Sequence, residues 1–215
     1  RQMCIRDRAG TPIMSGDSPG LHYMNLHNGT VWRWNRPIYD PNLELSHIRV
    51  ENRLLPAGPT TADIVADAAF YYGLVKFLGT QNRPVWSRLS FADAHSNFIA
   101  GAREGLRANM RWPRVGTVPV RELITDHLLD HAREGLELLE VDSELIETYL
   151  GIIEGRARKG QNGATWQLDT LNRLAPNSQP ESAERAEALA TMMRRYLAHQ
   201  VNGQPVHTWP VKGRD

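Results

Sequence analysis

The side chains best equipped for chemistry in this sequence sit on one short segment, His47-Ile48-Arg49-Val50-Glu51-Asn52-Arg53-Leu54-Leu55. Side chains alternate across a strand, so His47, Arg49, Glu51 and Arg53 share one side. Ile48, Val50 and Leu54 take the other, the expected core face. One carboxylate between two guanidiniums suits a metal-bound phosphate: the carboxylate takes a hard cation, and the planar guanidinium takes phosphate oxygens. The same spacing describes the solvated face of an antiparallel strand whose charges neutralise one another. Spacing alone leaves both readings open, the polar face being the commoner case.

A second cluster lies upstream, in the stretch HNGTVWRWNRP at 27–37. On a regular strand Trp32, Trp34 and Arg36 share a face. There Arg36 can receive a substrate α-carboxylate while the indoles exclude water. Equally, the two tryptophans can be core, with Arg36 stacked on them. Downstream, Gly58-Pro59-Thr60 at a helix start offers backbone N–H groups to an anion. His47 reads as a surface or hydrogen-bonding residue. No phosphate-cradling Gly-x-x-x-x-Gly-Lys-Ser/Thr loop, Gly-x-Gly-x-x-Gly fingerprint or Gly-x-Ser-x-Gly elbow occurs.

Taken in order, HNGTVWRWNRP, IRVENRLLPAGPT (48–60), NFIAGAREGLRA (97–108), YLGIIEGRARKGQNGATWQ (149–167) and PVHTWP (205–210) form a recognisable series. It resembles the carboxyl-terminal half of the glutamate–cysteine ligase family of the bacterial carboxylate–amine ligase type. The resemblance implies an ATP-dependent, ADP-forming enzyme that joins L-glutamate to L-cysteine or another amine through an acyl phosphate. It implies ATP and Mg2+, with Glu51 as a metal ligand and Arg53 on the transferring phosphoryl group. Arg49, by a looser match, accompanies Arg53 as a catalytic candidate, and Arg36, Trp34 and Trp32 are the substrate-binding candidates. Asn97 and Arg103 match the family pattern, with helix-to-sheet bonding as the expected role. The implied fold is a glutamine-synthetase-like antiparallel sheet, of which this chain supplies closing strands.

Composition narrows the alternatives. Twenty-five basic residues against 24 acidic give a net charge of +1, so no nucleic-acid partner is implied. This argues against a single-stranded nucleic-acid binder using Trp32 and Trp34 as stacking platforms with Arg33 and Arg36. With 41% hydrophobic residues and a mean hydropathy of −0.46, the chain reads as soluble. No apolar run approaches the roughly 20 residues that span a bilayer. The single cysteine, Cys4, has no internal disulfide partner, and a cytoplasmic setting is the default. A catalytically silent binding or assembly module is the rival to the enzyme, and a homo-oligomer is compatible with either.

The elements that must position these residues read as strands first and helices afterwards. Asn28-Gly29 marks a turn into the tryptophan strand, and Asp40-Pro41-Asn42 marks the connection to the Glu51 strand. After Pro59 the apolar period becomes helical. Thr60 and Asp63 form a cap ahead of a stripe of Ala62, Val65, Ala66, Ala69, Phe70, Gly73, Leu74 and Phe77. Further helices are expected near 91–106 and 119–139, from Asp142 to about Arg158, around Trp166, and from Ser178 to about His199. Core positions of the 119–139 helix are expected to include Leu128, Leu136 and Leu139. Trp112-Pro113 and Pro119 read as loop, and Gly160, Gly163 and Trp166 as a turn and packing anchor. Strands followed by five or six helices do not alternate, so the class is α+β.

The expected organisation is a non-native or disordered leader over 1–16, a catalytic-domain portion over 17–200 and an extended tail over 201–215. Residues 1–8 look like a translated adaptor remnant, and the sequence opens on Arg1. The reading is of a truncated chain, inactive as a ligase by itself.

Overall fold

Strand chemistry is concentrated in the first described stretch and helix chemistry in the rest, and the fold follows that division. The computed structural model describes residues 35–40, 47–55 and 57–211, in two units that meet at Pro56 and Ala57. The tryptophan pair Trp32 and Trp34, the Asn28-Gly29 turn, Pro41-Asn42 and the leader lie outside the described residues. The class is α+β, as expected: six helices and two antiparallel two-stranded sheets among the described residues.

In the first unit, β1 (Asn35–Asp40) pairs antiparallel with β2 (His47–Asn52). The register sets Arg36 opposite Glu51, Ile38 opposite Arg49 and Asp40 opposite His47, so these six share one face. Tyr39 and Ile48 face the other way. Tyr39 is buried, but Ile48 and Val50 are 59% and 64% exposed. That corrects the expectation of a covered core face on β2. Leu54 and Leu55 lie past the strand end and are exposed too.

The second unit is helical. α1 (Thr61–Thr80) begins where Thr60 caps it, the hydroxyl accepting from the Asp63 N–H. α2 (Phe91–Glu104) is capped by Ser90 in the same way. Next come β3 (Asn109–Trp112) and β4 (Gly116–Pro119), a small hairpin in the region expected as loop. α3 runs through Val120–Leu123, a π-helical stretch Ile124–Leu128, and Leu129–Glu137. α4 (Ser143–Lys159) is capped by Asp142 and stops at Gly160, whose φ of 69° is left-handed. α5 (Gly163–Leu174) opens on a capping box between Asn162 and Thr165. α6 (Ala183–Val201) begins at Ser182 rather than near Ser178. The Ser178 hydroxyl instead donates to the Ala175 carbonyl at the end of α5.

Two apolar cores hold this unit. The first joins Ala66 of α1, Leu129, Ala132 and Leu136 of α3, and Ile146, Leu150, Ile152 and Ile153 of α4. α1 and α3 cross so closely that a Cβ on Gly135 would overlap the Gly73 carbonyl. Leu139, expected in this core, is 44% exposed. It lies beyond the end of α3, and the π stretch adds a residue to the turn and so changes which side chains face inward.

The second core joins Trp166, Leu171 and Leu174 of α5 and Ala188 and Met192 of α6 with Val206 and Trp209. The stretch expected as an extended tail therefore carries two of its buried side chains. A short helical turn at Val206–Thr208 brings them in. The Gln161 amide donates to the carbonyls of Val206 and Trp209 at 2.7 and 2.9 Å. Among the described residues no helix is long and apolar enough to cross a membrane.

Candidate functional site

The β1–β2 pairing creates a charged face. Directly opposed residues in an antiparallel pair bring their side chains together, so Arg36 meets Glu51 across the ladder. The Arg36 Nε donates to Glu51 Oε2, and the Arg53 Nε lies 3.9 Å from the same oxygen. Glu51 thus stands between two guanidiniums, as its spacing from Arg53 foretold, but the second partner is Arg36 rather than Arg49. Arg49 belongs to a neighbouring group: its Nη1 is 3.3 Å from Asp40 Oδ2 and 3.2 Å from His47 Nε2. Arg36 is well covered, with 14% of its side chain exposed, against 35% for Glu51.

This face can do two things. Guanidiniums held in place by a carboxylate present fixed donors to phosphate or carboxylate oxygens. Glu51 is also a carboxylate, the ligand type that a hard cation takes. Magnesium carried by a nucleotide is commonly held by one or two protein carboxylates, with phosphates and waters completing the shell. Glu51 fits one such position. Among the described residues, no group of three or more His, Cys, Asp or Glu side chains could hold a metal ion.

Asn97 and Trp166 are structural in this fold. The Asn97 side chain donates to the Arg111 carbonyl and accepts from the Arg111 N–H, both at 2.8 Å, locking α2 to β3. That is the helix-to-sheet bonding expected of it. Arg103 lies instead at a cavity of about 310 Å3 with Arg107, Arg121 and Asp169. The Gly58-Pro59-Thr60 helix start is closed to anions. Thr60 is buried, its hydroxyl is bound to Asp63, and the Gln200 amide holds the Pro59 carbonyl at 2.9 Å. Trp166 is fully buried, with its Nε1 donating to the Pro210 carbonyl.

A polar centre that motif reading did not single out lies inside the helical unit. The fully buried Asp63 accepts from Arg156 Nη2 at 2.8 Å and from the Thr60 hydroxyl at 2.8 Å, and the Val206 N–H also points at its carboxylate. Arg156 also reaches Asp67 at 2.6 Å. Burial raises the Asp67 carboxyl, with the Arg156 charge opposing it. Asp63 and Arg156 are 93 residues apart, so only the Thr60–Asp63 cap was visible in the sequence.

No family model matches this chain, and comparison with curated proteins and with solved structures found no match.

Proposed function

We propose that this chain belongs to an ATP-dependent, ADP-forming carboxylate–amine ligase, similar to glutamate–cysteine ligase, whose closing strands are β1 and β2. The observation that carries the reading is the Glu51 carboxylate held between the Arg36 and Arg53 guanidiniums on one strand-pair face. The ordered motif series around that face supports it. The substrates are L-glutamate with L-cysteine or another amine, and the setting is cytoplasmic.

The chemistry asks for little covalent participation by protein. The glutamate γ-carboxylate attacks the γ-phosphorus of ATP, ADP leaves, and the amine then displaces phosphate from the acyl phosphate. Arg53 holds the oxygens of the transferring phosphoryl group, where charge develops in the transition state. Arg36, the better covered guanidinium, receives a substrate carboxylate. Arg49 reinforces the positive field from its place beside Asp40. Magnesium would supply charge neutralisation at the phosphates when bound, and Glu51 would be its ligand from this face. Glu51 also aims both arginines, because Oε2 is their common anchor.

A non-catalytic binding or assembly module is the second reading, favoured by the exposed Ile48 and Val50 on the reverse face. Kinetics in the intact protein separate the two. Arg53→Lys is expected to lower turnover about tenfold or more, since an ammonium cannot reproduce the planar fork. Glu51→Gln is expected to raise the magnesium concentration needed for half-maximal rate. Unchanged kinetics in both variants would remove this face from the reaction.

A further inference from the structure

A cavity of about 360 Å3 lies within the helical unit, between the end of α1, the turn after it, the β3–β4 turn and α3. Its charged or titratable lining side chains are Arg88, Arg114, His127 and His131: all are basic, and no carboxylate lines it. Phe77 and Trp112 supply apolar wall. A volume of about 300 Å3 or more, apolar walls and a few convergent polar groups are the usual marks of a small-molecule site.

Two polar atoms of that lining are buried without a hydrogen-bond partner, Arg88 Nε and His131 Nδ1. Leaving such a donor unpaired is costly, and a native protein rarely does so without a use for it. The local backbone arranges the rest. His127 lies in the π stretch and His131 follows one turn later, and both imidazoles line the same cavity. π turns of this kind concentrate at functional sites. The Phe77 ring lies 4.1 Å from His131 and nearly parallel to it, which fixes the imidazole plane. Arg114 is held at a left-handed φ of 66° in the β3–β4 turn, a conformation that only a few per cent of non-glycine residues adopt.

We propose that this cavity binds a small organic carboxylate, with Arg88 and Arg114 on the carboxylate and Phe77 and Trp112 covering its apolar body. Two guanidiniums with no lining acid make the site selective for an anion, and its walls favour an anion that carries a ring or short chain. The proposal stands apart from the ligase reading, because no residue of the β1–β2 face takes part in it.

The test is an NMR titration of the full chain with phenylacetate, benzyl alcohol and inorganic phosphate, following the imidazole and indole signals. Phenylacetate is expected to shift the His127 and His131 rings and the Trp112 indole N–H, saturably. Benzyl alcohol lacks the charge and phosphate lacks the apolar body, so each is expected to bind about tenfold more weakly. Arg88→Gln is expected to weaken phenylacetate about tenfold, the loss of one charge-assisted hydrogen bond. Arg114→Asn keeps the left-handed turn and is expected to weaken binding at least about threefold. It decides the matter should Arg88→Gln fail to fold. Ring signals that stay fixed at millimolar phenylacetate would overturn the proposal. Equal binding of alcohol or phosphate, or parent-like binding by the folded variants, would overturn it as well.

Discussion

At the scale of single residues, the helical unit depends on a largely buried charge pair. The Asp63 carboxylate accepts from Arg156, the Thr60 hydroxyl and the Val206 N–H, and Arg156 also pairs with Asp67. Removing Arg156 strands the Asp63 charge in the interior, whereas removing Asp63 leaves Arg156 its contact with Asp67. Arg156→Ala is therefore expected to cost about 3–5 kcal/mol, read from the denaturant midpoint. A loss below about 1 kcal/mol would mean that the pair is solvated. Two histidines add a pH dependence. Burial pushes both His131 and His207 below the ordinary imidazole range. Around His131, Glu134 and Asp130 oppose that shift while His127 and Arg88 add to it. Around His207, Asp63 opposes it and Arg156 and Lys159 add to it. The unfolded chain therefore takes up protons first. Stability from these rings is complete above about pH 6.5 and is lost as pH falls through the folded values. Asp67 acts oppositely: its raised carboxyl stabilises when protonated, and that contribution is lost as pH rises through its folded value. The urea midpoint is thus expected to fall between about pH 7.5 and 5.5, and His131→Gln with His207→Gln should flatten that slope. A flat parent profile would contradict the burial of both rings.

At the scale of elements, the decisive contact is the crossing of α1 and α3 at Gly73 and Gly135. Alanine normally improves an exposed helix position over glycine by about 1 kcal/mol. Here the added methyl meets backbone, so Gly135→Ala is expected to destabilise by about 1–3 kcal/mol or more. Gly151 of α4 has open space around it, and Gly151→Ala should stabilise. Thermal melts of the two variants should move in opposite directions, and movement in the same direction would refute the close crossing. The helices were legible because caps are local. Thr60 and Asp142 announce α1 and α4 within a few residues. What escaped was anything set by a distant partner. The β3–β4 hairpin is tied down by Asn97 of α2, and Trp209 becomes core only where Trp166 and Gln161 receive it. The site divides the same way. Alternation put Glu51 and Arg53 together, and an antiparallel pair brings the Arg36 face to them, but the register that sets Arg36 opposite Glu51 is not given by residue spacing.

At the scale of the whole molecule, the chain comprises a charged strand pair and a helical unit with two cores of its own. The central claim is that the β1–β2 face serves acyl-phosphate chemistry. That chemistry has a signature independent of any residue assignment. When a γ-carboxylate oxygen attacks the γ-phosphorus of ATP, the oxygen becomes the bridge of the acyl phosphate. The amine then attacks the carbonyl carbon, the carbon–oxygen bond breaks, and the bridging oxygen leaves with phosphate. The direct measurement supplies the intact protein with ATP, magnesium, an amine and glutamate labelled with 18O in its γ-carboxylate. The account predicts that each phosphate released carries one labelled oxygen, and that Arg53→Lys slows the labelled release about tenfold or more. Phosphate released without label, or no glutamate-dependent phosphate at all, would contradict it.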